Sequence, residues 1–359
     1  MYEYDFHKHH QLVLSKEKYM KRGLCGLVNM GNTCFLNSIL QCLSHTLKLT
    51  DYFLSGEASA SNRHNHHRGK EYYLVMSYHH LLINIWEKNQ VLRPKSFFEN
   101  LCKFKPKYYK HQQQDSHECL MFILEILHKG LCYAVDVDIK GKIKTRTDQL
   151  MKRSLEQFKA FYEKEFSFII QTFNGMFRVE IRCNHCDYTD DVFEPFNCIS
   201  LDLPNKKGVT LADCLDASLC EKEHIDTFTC EKCKRSGCNK TTELWTVPDY
   251  LVVHFKRFKR EPNGFTKIET HIEFPLDDID LTRFVSKDRD DPNNYIYSCY
   301  AINYHNGDLD GGHYFSTCKN LDDHWYMFND GNVSKVPDTQ MLTKNAYILF
   351  LSRKMTKSC

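Results

Sequence analysis

The chain has 359 residues, 42% of them hydrophobic and 26% charged, enough for one large domain or two ordinary ones of a globular protein. With 48 Lys+Arg against 46 Asp+Glu the net charge is +2, which argues against a role dominated by nucleic acid or an anionic membrane. Seventeen cysteines, and a start "MYEYDFHKHH" without the apolar core of a secretory signal, point to a reducing compartment where thiols serve metal ligation, catalysis and packing.

Residues 1–22 are polar with little periodicity and read as an N-terminal tail. Leu36, Ile39, Leu40, Leu43 and Leu47 recur at helical spacing and predict a helix from Leu36 to Leu49. "NRHNHHRGK" (62–70) holds His64, His66 and His67 in a polar context and reads as a solvated loop, not a metal site. Further helices are expected over 71–89, 116–131 and 147–170, and no run of 18 apolar residues spans a membrane. After about residue 172 the texture changes to short aromatic or β-branched runs bounded by turn residues, among them "GMFRVEIRC", "FEPFNCISLDLP", "DYLVVHFKRF", "YIYSCYAINYH", "GHYFSTCKN", "HWYMFND" and "AYILFLS". A helical front half before an antiparallel back half gives an α+β architecture.

Two C-x2-C knuckles stand in the strand-rich half: Cys183 with Cys186, and Cys230 with Cys233. Each turns two thiolates toward one ion, and two knuckles supply the four soft ligands of a structural Zn2+ site. The 43 residues between them (187–229) must return the chain to the metal, and Cys238 and His185 are nearby substitutes. With no open position for water, such a site is structural rather than hydrolytic.

"NMGNTCFLNSILQCL" (29–43) sets Cys34 where a turn becomes a helix. A helix N-terminus carries roughly half a positive charge, and with a neighbouring imidazolium it lowers a thiol pKa. Asn29 is placed to aim an amide at a developing oxyanion. Read alone, the segment fits a buried thiol with capping asparagines equally well. Near the C-terminus, "NGDLDGGHYFSTC" places His313 after Gly311 and Gly312, and "HWYMFNDGNV" presents Asn329 and Asp330 at a strand end. A Cys, a His on one strand and an Asn or Asp on the next form a nucleophile, base and orienter.

"GLVNMGNTCFLNSILQCLSHT" together with "GGHYFSTCKNLDDHWYMFNDGNV" resembles the cysteine and histidine boxes of the ubiquitin-specific proteases, papain-like thiol peptidases. "HQQQDSHE" (111–118), "FNGMFRVEIRCNHC" (173–186), "VPDYLVVHFKRF" (247–258) and "NAYILFLS" (345–352) follow in the family's order, so the resemblance runs from about Gly23 to Ser352. It implies a catalytic domain over 23–353 after a tail of 1–22. Residues 23–170 would be mainly a helical thumb, 171–265 palm and zinc-ribbon fingers, and 266–353 antiparallel palm.

The resemblance also implies roles. Cys34 is the nucleophile, His313 the general base and Asn29 the oxyanion donor; Asn329 occupies the third triad position with Asp330 as its acidic neighbour, and which of the two orients His313 stays open. Asp115 and Glu118 match acidic positions that hold the two arginines of the ubiquitin tail. Gln41 and His305 match recurring positions near the site, and Gly311 and Gly312 bound a narrow channel for the tail's Gly-Gly end. The expected activity is hydrolysis of the peptide or isopeptide bond after ubiquitin's C-terminal glycine. The expected partners are ubiquitin, ubiquitinated proteins and regulatory subunits, with no direct nucleic acid and no membrane, in the cytoplasm or nucleus. A SUMO- or NEDD8-directed enzyme and a catalytically dead ubiquitin-binding scaffold are the alternatives, and the second is disfavoured by the presence of Cys34, His313 and Asn29.

Overall fold

The computed structural model describes residues 16–62, 69–261, 264–289, 295–308, 311–338 and 344–354. His64, His66 and His67 of the expected loop lie outside the described residues, as does most of the expected tail. The last of that tail is docked: Tyr19 stands edge-on to Trp86 at 6.0 Å, and Arg22 donates to the Glu87 carbonyl at 2.9 Å.

Nine helices are described up to residue 173: α1 (Lys16–Tyr19), α2 (Cys34–Ser44), α3 (Leu47–Leu54), α4 (Glu57–Asn62), α5 (Lys70–Glu87), α6 (Lys95–Phe104), α7 (Ser116–Leu131), α8 (Arg146–Tyr162) and α9 (Phe168–Phe173). The single helix expected from Leu36 to Leu49 is two. Thr46 N–H turns to the Leu43 carbonyl and its Oγ1 takes the Cys42 carbonyl, so a side chain replaces the backbone donor that would have continued α2, while His45 Nδ1 joins its own backbone N–H on the Gln41 carbonyl. The helix expected over 147–170 also divides. Tyr133 and Phe166 exchange both backbone hydrogen bonds as an antiparallel bridge, and Ser167 then caps α9 through Ile170 N–H. α7 starts where expected because the Asp115 carboxylate caps Glu118 N–H at 2.9 Å.

Strands follow: β1 (Gly175–Cys183), β2 (Thr189–Phe196), β3 (Ile199–Leu201), β4 (Val209–Thr210), then α10 (Leu211–Leu215), β5 (Glu223–Thr229), β6 (Ser236–Thr246), β7 (Tyr250–Phe255), β8 (Phe258–Glu261), β9 (Gly264–Lys267), β10 (Ile272–Glu273), β11 (Ile279–Asp280), β12 (Ile296–Gly307), β13 (Gly312–Lys319), β14 (Trp325–Asn329), β15 (Asn332–Val336) and β16 (Ala346–Arg353). The palm sheet runs β15-β14-β13-β12-β16-β7-β3, with β11 added on β12, and is antiparallel except where β3 meets β7. The fingers are a separate antiparallel sheet, β2-β1-β6-β5.

Period-two alternation explains why "AYILFLS" is an unbroken apolar run. On β16, Ile348 and Phe350 join the core under the helices, while Leu349 and Leu351 join a second core on the opposite face. Burying each such side chain contributes about 1.5–3 kcal/mol. α2 has all eleven residues buried and packs into the first core with β13, so the helix that begins at Cys34 is held against the strand that begins beside His313. No helix among the described residues is long and apolar enough to cross a membrane.

Candidate active site

Cys34 is the first residue of α2 and is only 3% exposed. The turn before it is built by Asn29, whose Oδ1 accepts from Gly31 N–H at 3.0 Å and Thr33 N–H at 3.1 Å. Gly31 (φ +101°) is required there, since a Cβ would sit 2.9 Å from His111 Nδ1. With its oxygen committed to the turn, Asn29 offers its amide nitrogen, and Nδ2 donates to Asp330 Oδ2 at 3.0 Å.

His313 lies at the start of β13, and its Nε2 is 2.6 Å from Asn329 Oδ1 at the end of β14. A carboxamide oxygen only accepts, so Nε2 carries the proton and Nδ1 is left as the basic nitrogen. Asp330 is turned away. Its two oxygens accept from Asn29 and from Asn37, and its carbonyl accepts from Leu27 N–H at 2.8 Å. Asp330 and Gly331 form the two-residue turn between the paired Asn329 and Asn332, and φ of +48° at Asp330 sends the neighbouring side chains to different partners.

Burial, reinforced by the Asp330 carboxylate, pushes the Cys34 thiol up, and the N–H groups of Tyr314 and Phe35 offset only part of this. No hydrogen bond joins Cys34 to His313 among the described residues; β13 reaches the thiol through the Tyr314 amide. Gln41 is 1% exposed and donates to the Cys25 carbonyl at 2.7 Å, so it ties α2 to the chain entering the site.

His305 is also interior. It tilts against Tyr314 with centroids 4.4 Å apart, and burial pushes its imidazole down to about 4. Its ring explains Gly312, where a Cβ would lie 2.2 Å from His305 Nε2, while Gly311 borders open space. Gln113, unnoticed in the sequence, grips Gly312 from the helical side: Gly312 N–H donates to Oε1 at 2.7 Å and Nε2 donates to Gly312 O at 2.6 Å. Asp115 accepts from Tyr347 Oη at 2.5 Å as well as capping α7. Glu118 pairs with Lys105 and, at 3.2 Å, with Lys107; against partial burial these ammonium groups hold its carboxyl below the ordinary range. The sequence signal for Gln113 was its place in "HQQQD"; Tyr347 and Asn37 carried none that spacing reveals.

At the fingers, Cys183, Cys186, Cys230 and Cys233 bring four sulfurs within 4.8 Å of one another, with 3.7 Å between Cys183 and Cys233 and between Cys186 and Cys230. A tetrahedral ion with sulfur at about 2.3 Å requires sulfurs about 3.8 Å apart, so the four fit a metal ion. Cys238 pairs with Cys183 across β1 and β6 but is not one of the four, and His185 is spent on the Ser236 carbonyl.

A cysteine opening a helix packed on the strand that carries a histidine, with a carboxamide locking the imidazole, defines the papain-like cysteine protease fold class, here with thumb, palm and fingers. More narrowly, the chain belongs to the ubiquitin carboxyl-terminal hydrolase family, whose model matches residues 25–351. It is 35% identical over 344 residues to human ubiquitin carboxyl-terminal hydrolase 2, covering 92% of this chain and 55% of that one. The bovine counterpart is 34% identical over 350 residues with the same coverage. The chain thus spans about half the length of these relatives. Among solved structures, the SAGA Ubp8/Sgf11/Sus1/Sgf73 DUB module bound to ubiquitin aldehyde superposes with a TM-score of 0.75 at 26% identity, covering 94% of this chain and 71% of that one.

Proposed function

We propose that the protein is a deubiquitinating thiol protease that hydrolyses the peptide or isopeptide bond after the C-terminal glycine of ubiquitin. The observation that carries this is the 2.6 Å contact of His313 Nε2 with Asn329 Oδ1, which leaves a basic Nδ1 on the strand packed against the Cys34 helix. His313 Nδ1 takes the Cys34 proton as Sγ attacks the glycine carbonyl. The tetrahedral oxyanion is met by the second N–H of Asn29 Nδ2 and by a backbone N–H of the α2 start. The imidazolium then protonates the leaving amine. In the second half, His313 takes a proton from water, hydroxide attacks the thioester, and Cys34 leaves as thiol.

The remaining roles follow the same reading. Residues 23–353 act as one catalytic domain, Asp115 and Glu118 meet the arginines of the ubiquitin tail, and Gly311 and Gly312 leave room for its Gly-Gly end. Ubiquitin conjugates are the substrates, other subunits recruit them, and the protein works inside the cell. Zn2+ is the ion for the four finger cysteines, which would hold the ribbon's fold without touching the reaction. The test is turnover of ubiquitin, SUMO and NEDD8 fluorogenic amides side by side. Release from ubiquitin alone, abolished by Cys34→Ser, is expected; preference for another modifier, or activity surviving the substitution, contradicts the reading.

A further inference from the structure

Asn37 lies one turn along α2 from Cys34 and is 2% exposed. Its Nδ2 donates to Asp330 Oδ1 at 2.8 Å and to the Leu27 carbonyl at 3.2 Å. Its Oδ1 is buried without a hydrogen-bond partner among the described residues. An asparagine kept for packing would use both ends of its amide or be replaced by an aliphatic side chain of similar volume. Here only the donor end is used, and it reaches both segments that meet at Asn29 and Asp330.

The bonds close a ring. Leu27 N–H donates to the Asp330 carbonyl at 2.8 Å, Asn37 bridges the Leu27 carbonyl to the Asp330 carboxylate, and the other carboxylate oxygen takes Asn29 Nδ2 at 3.0 Å. Gly26 approaches Gly331 so closely that a Cβ would stand 2.2 Å from its carbonyl oxygen, which seals the same two segments together. Two carboxamides thus hold one carboxylate from opposite sides. With Asn29 Oδ1 tied to Gly31 and Thr33, the plane of the Asn29 amide is fixed at both ends.

We propose that Asn37 is a positioning residue for the oxyanion donor: by holding the Asp330 carboxylate it fixes the direction of the free Asn29 N–H. Asn37 touches no reacting atom, and the inference rests on the functional reading above, in which Asn29 is that donor. Loss of Asn37 frees the carboxylate to turn toward water and Asn29 to follow it, while Cys34, His313 and Asn329 keep their contacts. The defect is therefore confined to the transition state.

The test is a double-mutant cycle on the full chain with a ubiquitin fluorogenic amide, using Asn37→Leu, Asn29→Ala and both together. Asn37→Leu is expected to lower kcat about 10- to 100-fold with KM within about twofold, because one misaimed oxyanion donor acts only in the transition state. It weakens ubiquitin aldehyde, whose adduct carries the oxyanion, and does not slow iodoacetamide alkylation of Cys34. The double variant is no slower than Asn29→Ala, as residues acting through one group are non-additive. Unchanged kcat, multiplicative losses, or an equal loss in alkylation overturns the proposal. Should Asn37→Leu fail to fold, Asn37→Ser completes the same cycle. A wild type without turnover overturns the functional reading itself and is distinguished by Asn29→Ala having nothing to lose.

Discussion

Asn329 and Asp330 are adjacent in sequence yet hold different partners: Asn329 Oδ1 holds His313 Nε2 at 2.6 Å, and the Asp330 carboxylate holds Asn29 Nδ2 at 3.0 Å. On the proposed function, one residue sets the base and the next the oxyanion donor, with the left-handed Asp330 backbone separating them. The two positions should accordingly fail in different ways.

Asn329→Ala removes the acceptor that fixes the imidazole tautomer and is expected to lower kcat about 100-fold, the scale of lost general-base catalysis. Asn329→Asp, an anionic acceptor, should support the imidazolium at least as well and keep kcat at or above wild type. Steady-state kinetics on a ubiquitin fluorogenic amide separates the two.

Asp330→Asn moves two readouts in opposite directions. Burial and then the Asp330 charge hold the Cys34 thiol up, so deleting the charge favours the thiolate and shifts the alkylation profile of Cys34 toward lower pH. Turnover nevertheless falls, because a neutral amide holds Asn29 less firmly than a carboxylate. Iodoacetamide rates from pH 6 to 10, beside kcat, show both.

The His45 imidazole is held down to about 4 by burial, with Nδ1 on the Gln41 carbonyl and Nε2 lacking a partner among the described residues. Between the ordinary 6.5 and about 4 the unfolded chain binds a proton that the folded chain refuses, so stability falls as pH drops through that window. The full contribution is about 3 kcal/mol. His305, also held down to about 4, adds a slope of the same sign. Urea melts at pH 7 and 4.5 should show His45→Gln losing less stability on acidification than wild type.

Metal analysis should return about one zinc per chain. Cys183→Ser and Cys230→Ser should each lose it and lower Tm, while Cys238→Ser, outside the four sulfurs, keeps it. Full zinc retention in the first two contradicts the ribbon reading.

Lys105 and Lys107 occupy the Glu118 carboxylate that a tail arginine would need. Because Glu118 is half exposed, the pair is worth at most about 1 kcal/mol. Lys105→Ala is therefore expected to lower KM for ubiquitin by no more than about fivefold, with kcat unchanged.

The sequence made the changeover from helix to strand legible, because hydrophobic period shifts from that of α5 and α7 to the runs of β12 and β16. Cys34, His313 and Asn329 stood out because each sits where an element begins or ends, and turn residues mark such places. Asn37 and Tyr347 did not, since a buried polar residue inside an apolar element looks like any other until its partner, some three hundred or two hundred residues away, is brought to it. Gln41 was singled out by the resemblance, and spacing gave no sign that its side chain donates to the Cys25 carbonyl inside the protein. The ends of α2 and α8 were misplaced because the side-chain bonds of His45 and Thr46 and the Tyr133–Phe166 bridge end them, and hydrophobic periodicity contains neither.

The most direct test of the central claim is reaction with ubiquitin carrying a C-terminal electrophile, followed by mass mapping of the adduct. Wild type should form a single adduct on Cys34, Cys34→Ser none, and Asn329→Ala the same adduct more slowly. Labelling of Cys34→Ser at another cysteine, or no adduct on the wild type, would contradict the account.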